Sequence, residues 1–174
     1  LALGVPVDAV ASRLSSATPT SRWRMEVSTT STGLTVVNDA YNANPESMRA
    51  ALDALAAMGR ATTDRGPRRT WAVLGEMREL GPGAETAHQE VGREAAERGI
   101  GHVVAVGEPA YGVARGAEAL GGATVVQAVP DVDAAVALLR AQTDDGDVVL
   151  VKASRGSARE RVVESLLASP HYGE

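Results

Sequence analysis

An α/β chain built on a mostly parallel sheet is predicted by two observations. Short runs of Val, Leu and Ala recur along the sequence, as LTVVND, TWAVLG, HVVAVG, TVVQAV and DVVLVKA. Segments with helical spacing alternate with them, set off by Gly, Pro, Asn or Asp. Near-continuous apolar strands are those covered on both faces. Strand–helix alternation with right-handed crossovers then gives a Rossmann-like, doubly wound sheet with helices on both faces. A short N-terminal helix and a β-hairpin are expected before it.

The elements follow in order. Val5, Val7, Val10 and Leu14 give the opening segment a loose helical stripe, and SSATPTS (15–21) reads as a linker. RWRMEV alternates like a strand and, through the turn STTSTG, pairs with LTVVND as a hairpin. After Pro45, the residues Met48, Ala51, Leu52 and Leu55 fall on one helical face, with Asn44 as N-cap and Pro45 at the first helical position. RATTDRGPRR reads as a polar, mobile loop. TWAVLG is a strand, EMRELGPG a loop, and AETAHQEVGREAAERG a helix that ends at Gly99. HVVAVG is followed by the helix EPAYGVARGAEALGG, and TVVQAV by DVDAAVALLRAQ. In the latter, Val132, Ala135, Val136 and Leu139 share a face and Asp131 suits the N-terminal turn. DVVLVKA and the closing helix SARERVVESLL complete the pattern.

Composition bounds the function classes. The 174 residues suffice for one core of ordinary size. Hydrophobic residues make up 44% and aromatic residues only 3%, so Ala, Val and Leu must fill that core. The net charge of −5 argues against nucleic acid as a partner, because phosphate backbones call for a basic face. There is no cysteine, hence no disulfide and no thiolate metal site. No apolar run reaches the length of a membrane span. These features fit a cytoplasmic location. The chain starts at Leu1 in what reads as a helix already under way, so a longer parent chain is expected. Lys152 is the only lysine, against sixteen arginines.

In doubly wound folds ligands bind beyond the carboxyl ends of the strands. Those ends carry Asp39-Ala40-Tyr41-Asn42-Ala43-Asn44, Gly75-Glu76-Met77 running into Glu79-Leu80-Gly81, Gly107-Glu108, and Lys152-Ala153-Ser154-Arg155-Gly156. Asp39 suits ribose hydroxyls or a metal-bound water. Asn42 and Asn44 offer donors and acceptors. The helix start after Pro45 favours an anion, although Asp and Asn are equally common as caps and turn formers. Lys152 and Arg155 sit just before a helix start, an unfavourable place for cations unless they meet phosphate or carboxylate. Arg22 and Arg24 flank Trp23 and either reach an anion or shield a sheet edge. His88 lies on the apolar side of its helix and reads as a packing residue. His102 and His171 form no ligand pair, and no metal site is expected. No Walker motif is present, and with one lysine outside any such pattern no P-loop is possible.

The residues themselves stop at an α/β domain with a polar, anion-tolerant edge. NDAYNANPESMRAAL, however, resembles the D-x-Y-N-A-N-P segment of the C-terminal domain of the Mur ligase family. VLGEMRELG, HQEVG and GDVVLVKASRG match further family segments in the same order. SRWRMEV falls where the family opens the domain with a small residue and an arginine; Ser21 stands where glycine is commoner. The likeness runs from about Ser21 to Leu167. The segment closely resembles that of the members that add D-alanyl-D-alanine to UDP-MurNAc-tripeptide, whose relatives tend to carry His in place of Asn42.

That resemblance implies an ATP-dependent amide ligation through an acyl phosphate, shared among three domains. Residues 1–20 would be the tail of the central ATPase domain plus linker, and residues 21–174 the C-terminal domain. ATP and Mg2+ would be held mainly by the central domain, so this piece alone would ligate nothing. UDP-MurNAc-tripeptide, D-Ala-D-Ala and the N-terminal and central domains would be its partners in the intact enzyme. By the same resemblance, Arg22, Asp39, Tyr41 and Asn42 face the nucleotide. Asn44, Glu76, Lys152, Ser154 and Arg155 are assigned to the dipeptide side. A related ligase domain, such as that of folylpolyglutamate synthase, is one alternative; the Tyr41–Asn44 run speaks against it. A non-catalytic nucleotide-binding module is another.

Overall fold

The computed structural model describes residues 23–63, 66–155 and 160–168. The expected opening helix, the linker and Arg22 lie outside the described residues. The hairpin is β1 (Glu26–Thr29) and β2 (Thr35–Asp39), followed by α1 (Pro45–Arg60). A two-residue pairing, β3 (Thr62–Thr63) with β4 (Gly66–Pro67), leads into β5 (Thr70–Leu74) and α2 (Ala84–Glu97). Then come β6 (His102–Val106), α3 (Tyr111–Leu120), β7 (Val125–Val129), α4 (Val132–Gln142), β8 (Val148–Lys152) and α5 (Glu160–Ala168). Among the described residues no helix is long and apolar enough to cross a membrane.

The main sheet has the order β1-β2-β8-β5-β6-β7, and only β1 runs antiparallel. The chain passes from β2 over the future position of β8 to β5, moves outward to β7, and returns to insert β8 in the gap. The expected doubly wound sheet is therefore present, with its direction reversing around β8. Every residue of β2, β5 and β8 is buried, as continuous apolar strands between two helical layers require.

Alternate strand residues feed two cores. Ala72 and Leu74 of β5 face the layer of α1, α2 and α3, with Met48, Leu52, Leu55, Val91 and Val113. Trp71 and Val73 face α4 and α5, with Val132, Leu139, Val162 and Leu166. Burying Met48, Leu52 and Leu55 contributes about 1.5–3 kcal/mol each. Between α2 and α3 the backbones nearly touch. A Cβ added to Gly92 would lie 1.9 Å from the Val113 carbonyl oxygen, and one on Gly116 1.9 Å from that of Gln89.

Two expectations change in detail. The strand expected over RWRMEV shrinks to its last residues and extends into Ser28 and Thr29. Trp23 (φ 66°) and Met25 (φ 47°) adopt left-handed conformations that break a strand. The loop read as mobile is tied down at its end. Arg68 donates from Nε to the Gly146 carbonyl at 2.6 Å and from Nη2 to Thr35 Oγ1 at 2.7 Å. Arg69 donates to both oxygens of the buried Asp147 carboxylate, at 3.0 and 2.8 Å.

Candidate functional site

The register fixes where the polar segments meet. Asp39 at the end of β2 and Leu74 at the end of β5 both pair with Lys152 at the end of β8. The three tips thus emerge side by side at the carboxyl edge, where the strand order reverses. The segments Asp39–Asn44, Gly75–Glu79 and Lys152–Arg155 come together there.

The innermost layer is an ion pair. Lys152 is 2% exposed, and its Nζ donates to Asp39 Oδ2 at 2.5 Å and to the Asn42 carbonyl at 2.9 Å. The second Asp39 oxygen accepts the Met25 N–H at 3.1 Å. Both carboxylate oxygens are therefore engaged within the chain. This bond, with Tyr41 N–H donating to the Trp23 carbonyl at 3.2 Å, stabilises the left-handed segment Trp23–Met25.

Around that pair lies an exposed layer. The Tyr41 ring has the Arg24 guanidinium 4.3 Å from its centroid and the Arg155 guanidinium 5.4 Å away, both within cation–π range. Asn42 lends its carbonyl to Lys152 and leaves its side chain exposed. Asn44 caps α1: its Oδ1 accepts the Ser47 N–H at 2.8 Å, and Ser47 Oγ accepts the Asn44 N–H at 3.1 Å. Such a capping box stabilises a helix by about 1 kcal/mol. The cap and the apolar face of α1 are as the sequence predicts, and so is Asp131, which caps α4 through the Ala134 N–H at 2.8 Å.

The β5 and β8 tips are stitched together by Ser154. Its hydroxyl accepts the Arg78 N–H at 2.9 Å and donates to the Ala43 carbonyl at 3.3 Å, while its N–H donates to the Glu76 carbonyl at 3.0 Å. Arg78 Nε donates to Glu76 Oε2 at 3.0 Å, and its Nη1 reaches the Arg155 carbonyl at 3.4 Å. No motif in the sequence marks Arg78, yet it joins Arg24 and Arg155 on this edge. Glu79 (φ 65°) is left-handed, the third such non-glycine residue among those described and again beside the strand tips.

His88 is 2% exposed; it donates from Nδ1 to the Ala84 carbonyl at 2.7 Å and accepts the Met77 N–H at Nε2 at 2.9 Å. It is buried and satisfied, as read from the sequence, but it also holds the β5 loop. Among the described residues no group of three or more His, Cys, Asp or Glu could hold a metal ion.

The edge thus presents an aromatic ring, three guanidiniums and an exposed amide over a buried, self-satisfied base. Such a surface suits a nucleotide or another anionic ligand. A family model described as "Mur ligase, glutamate ligase domain" matches residues 23–155, and the chain belongs to that family. Among its relatives is the UDP-N-acetylmuramoyl-tripeptide–D-alanyl-D-alanine ligase of Mycobacterium tuberculosis, 43% identical over 99% of this chain and 36% of the relative. Of solved structures, MurF from Acinetobacter baumannii superposes with a TM-score of 0.75 at 27% identity, over 97% of this chain and 34% of that one. MurF ligase from Thermotoga maritima, solved in complex with ADP, gives 0.67 at 26% identity, over 91% of this chain and 35% of that one. The chain spans about a third of the length of these proteins.

Proposed function

We propose that this chain is the C-terminal domain of an ATP-dependent ligase that adds D-alanyl-D-alanine to UDP-MurNAc-tripeptide, a cytoplasmic step of bacterial peptidoglycan precursor synthesis. Residues 1–20 belong to the end of the preceding domain and residues 21–174 to this one. The observation that carries the reading is the 43% identity along nearly the whole chain to a ligase of that name. The composition of the strand-tip edge supports it.

The chemistry sets the demands. A carboxylate is a poor electrophile, so the γ-phosphoryl group of ATP is first transferred to it, releasing ADP. The amine of the dipeptide then attacks the acyl carbon, the C–N bond forms, the C–O bond to phosphate breaks, and the amine's proton is released. Positioning and charge stabilisation account for most of the catalysis in such transfers. Phosphate cradling falls to the P-loop of the preceding domain. Mg2+ falls to that domain too; among the described residues here no group of three or more His, Cys, Asp or Glu could hold a metal ion.

Tyr41, Asn42 and Arg24 face the nucleotide, together with Arg22. Asp39 contributes to nucleotide binding by fixing the turn that presents Tyr41 and Asn42. Arg155 and Arg78 face the carboxylate of the dipeptide, with Glu76 beside them. Asn44, Lys152 and Ser154 hold the frame on that side. Phosphate release from ATP, measured with UDP-MurNAc-tripeptide and D-Ala-D-Ala on the longer parent protein and on this chain, tests the reading. Turnover in the parent that needs the dipeptide, and none in this chain alone, is expected. A folded parent without dipeptide-dependent turnover overturns it in favour of a related ligase or a non-catalytic module.

A further inference from the structure

We propose that His88, which lies on α2 and not on a strand tip, is a positioning residue that holds the Gly75–Glu79 loop in the shape needed to receive the dipeptide. This inference rests on the ligase reading above.

Strand β5 ends at Leu74, and the loop beyond it has no sheet to satisfy its backbone. A buried N–H without an acceptor is costly, so each bond there matters. From the β8 side, Gly75 N–H donates to the Lys152 carbonyl at 2.9 Å, the Glu76 carbonyl accepts from Ser154, and Arg78 N–H donates to Ser154 Oγ. The Met77 N–H lies between these and turns the other way, to His88 Nε2 on α2 at 2.9 Å. The loop is therefore clamped from two sides, and His88 is the α2 side of the clamp.

The imidazole is built for that task. Met77 N–H can only donate, so Nε2 must present a lone pair and the ring proton must sit on Nδ1. The Ala84 carbonyl, 2.7 Å from Nδ1, accepts that proton and fixes both tautomer and ring plane. At Gly112, α3 closes on the base of the side chain, where a Cβ would lie 2.8 Å from His88 Cβ. Met77 itself is buried in the core, so its neighbours Glu76 and Arg78 point outward beside Arg155. Moving the Met77 N–H would move both of them.

The test uses His88→Leu, which fills the space but cannot accept, and His88→Gln, which offers an amide oxygen in place of Nε2. In the parent ligase, His88→Leu is expected to raise the KM for D-Ala-D-Ala about tenfold while the KM for ATP stays within about twofold; His88→Gln recovers most of the loss. In this chain, amide exchange at Met77 and Arg78 should quicken in the Leu variant while Leu150 and Val151 of β8 stay protected. If the Leu variant does not fold, His88→Asn replaces it, since it reaches Ala84 but falls short of Met77. A dipeptide KM that does not move, equal changes for both substrates, or a Gln variant no better than Leu would overturn the proposal. A wild-type parent with no dipeptide-dependent turnover overturns the ligase reading and the dipeptide role together, and a quickened exchange would then leave only the clamp itself.

Discussion

Lys152 Nζ lies 2.5 Å from Asp39 Oδ2, joining the ends of two adjacent parallel strands that are 113 residues apart in sequence. The side chains are 2% and 12% exposed, so neither charge has full access to water. Removing one partner strands the other. Lys152→Met should destabilise the domain by about 3–5 kcal/mol, and the double variant Lys152→Met/Asp39→Leu should recover much of it. Urea unfolding of the wild type and the two variants checks this. A double variant no more stable than the single one would mean that the pair is not the source of the loss.

The close approach of α2 and α3 gives a second prediction. Gly92→Ala and Gly116→Ala each force a Cβ into a backbone carbonyl at 1.9 Å, so the helices must separate. Each should cost about 1–3 kcal/mol. Gly83→Ala, where nothing lies within 4 Å, is the control and should stay within about 0.5 kcal/mol. Thermal unfolding distinguishes the two classes.

His102 predicts a pH dependence. Its ring stacks on Trp71 at 3.7 Å between centroids, and its buried Nδ1 has no hydrogen-bond partner among the described residues. Burial, reinforced by the charge of Arg69 and opposed by Asp147, holds its pKa below the ordinary value of 6.5. The unfolded chain therefore takes up the proton first. The stability from His102 is complete above the ordinary value and is lost as pH falls through it toward the lower folded value. Melting temperatures of wild type and His102→Asn should converge toward acid, with the variant giving the flatter curve.

Substitutions at the edge should divide by substrate. In the parent enzyme, Arg155→Ala should mainly raise the KM for the dipeptide. Tyr41→Ala should mainly raise that for ATP. A change of about tenfold in one and under threefold in the other is the expected pattern. Asp39→Ala is a poorer probe of nucleotide binding, because it also strands Lys152 in the interior. An unchanged dipeptide KM in Arg155→Ala would remove that residue from the dipeptide side.

The sequence carried the layers of the fold because apolar runs and helical stripes are local signals. The helix caps at Asn44 and Asp131 were legible for the same reason. The insertion of β8 between β2 and β5 was not, since the parallel strands are all short apolar runs with nothing to rank them in the sheet. The shortened β1 was hidden too: nothing in RWRMEV announces two left-handed residues, which depend on Asp39 receiving the Met25 N–H. Arg68 and Arg69 read as parts of a loose loop because their side-chain partners lie 33 to 79 residues away. At the site, the strand-tip positions of Asp39, Tyr41 and Arg155 followed from the alternation alone. The burial of Lys152 was not legible: at a strand tip it reads as a cation for a phosphate or carboxylate ligand, whereas its partner is Asp39 of the same chain. The burial of His88 is legible from its place on the apolar side of a helix; its bond to a loop eleven residues earlier has no sequence signal.

The placement of β8 has a consequence for how the domain comes into being. The strand between β2 and β5 is also the last of the sheet among the described residues, so β2 waits with an open hydrogen-bonding edge while residues 40–147 are made, and β5 while residues 75–147 are. During synthesis on the ribosome, nothing before Val148 can join the two halves of the sheet. Folding must therefore be dominated by one late, long-range docking step, which is slow and leaves apolar edges open to wrong partners. A chain cut short after α4 would be left with two half-sheets prone to aggregation, rather than a smaller stable domain.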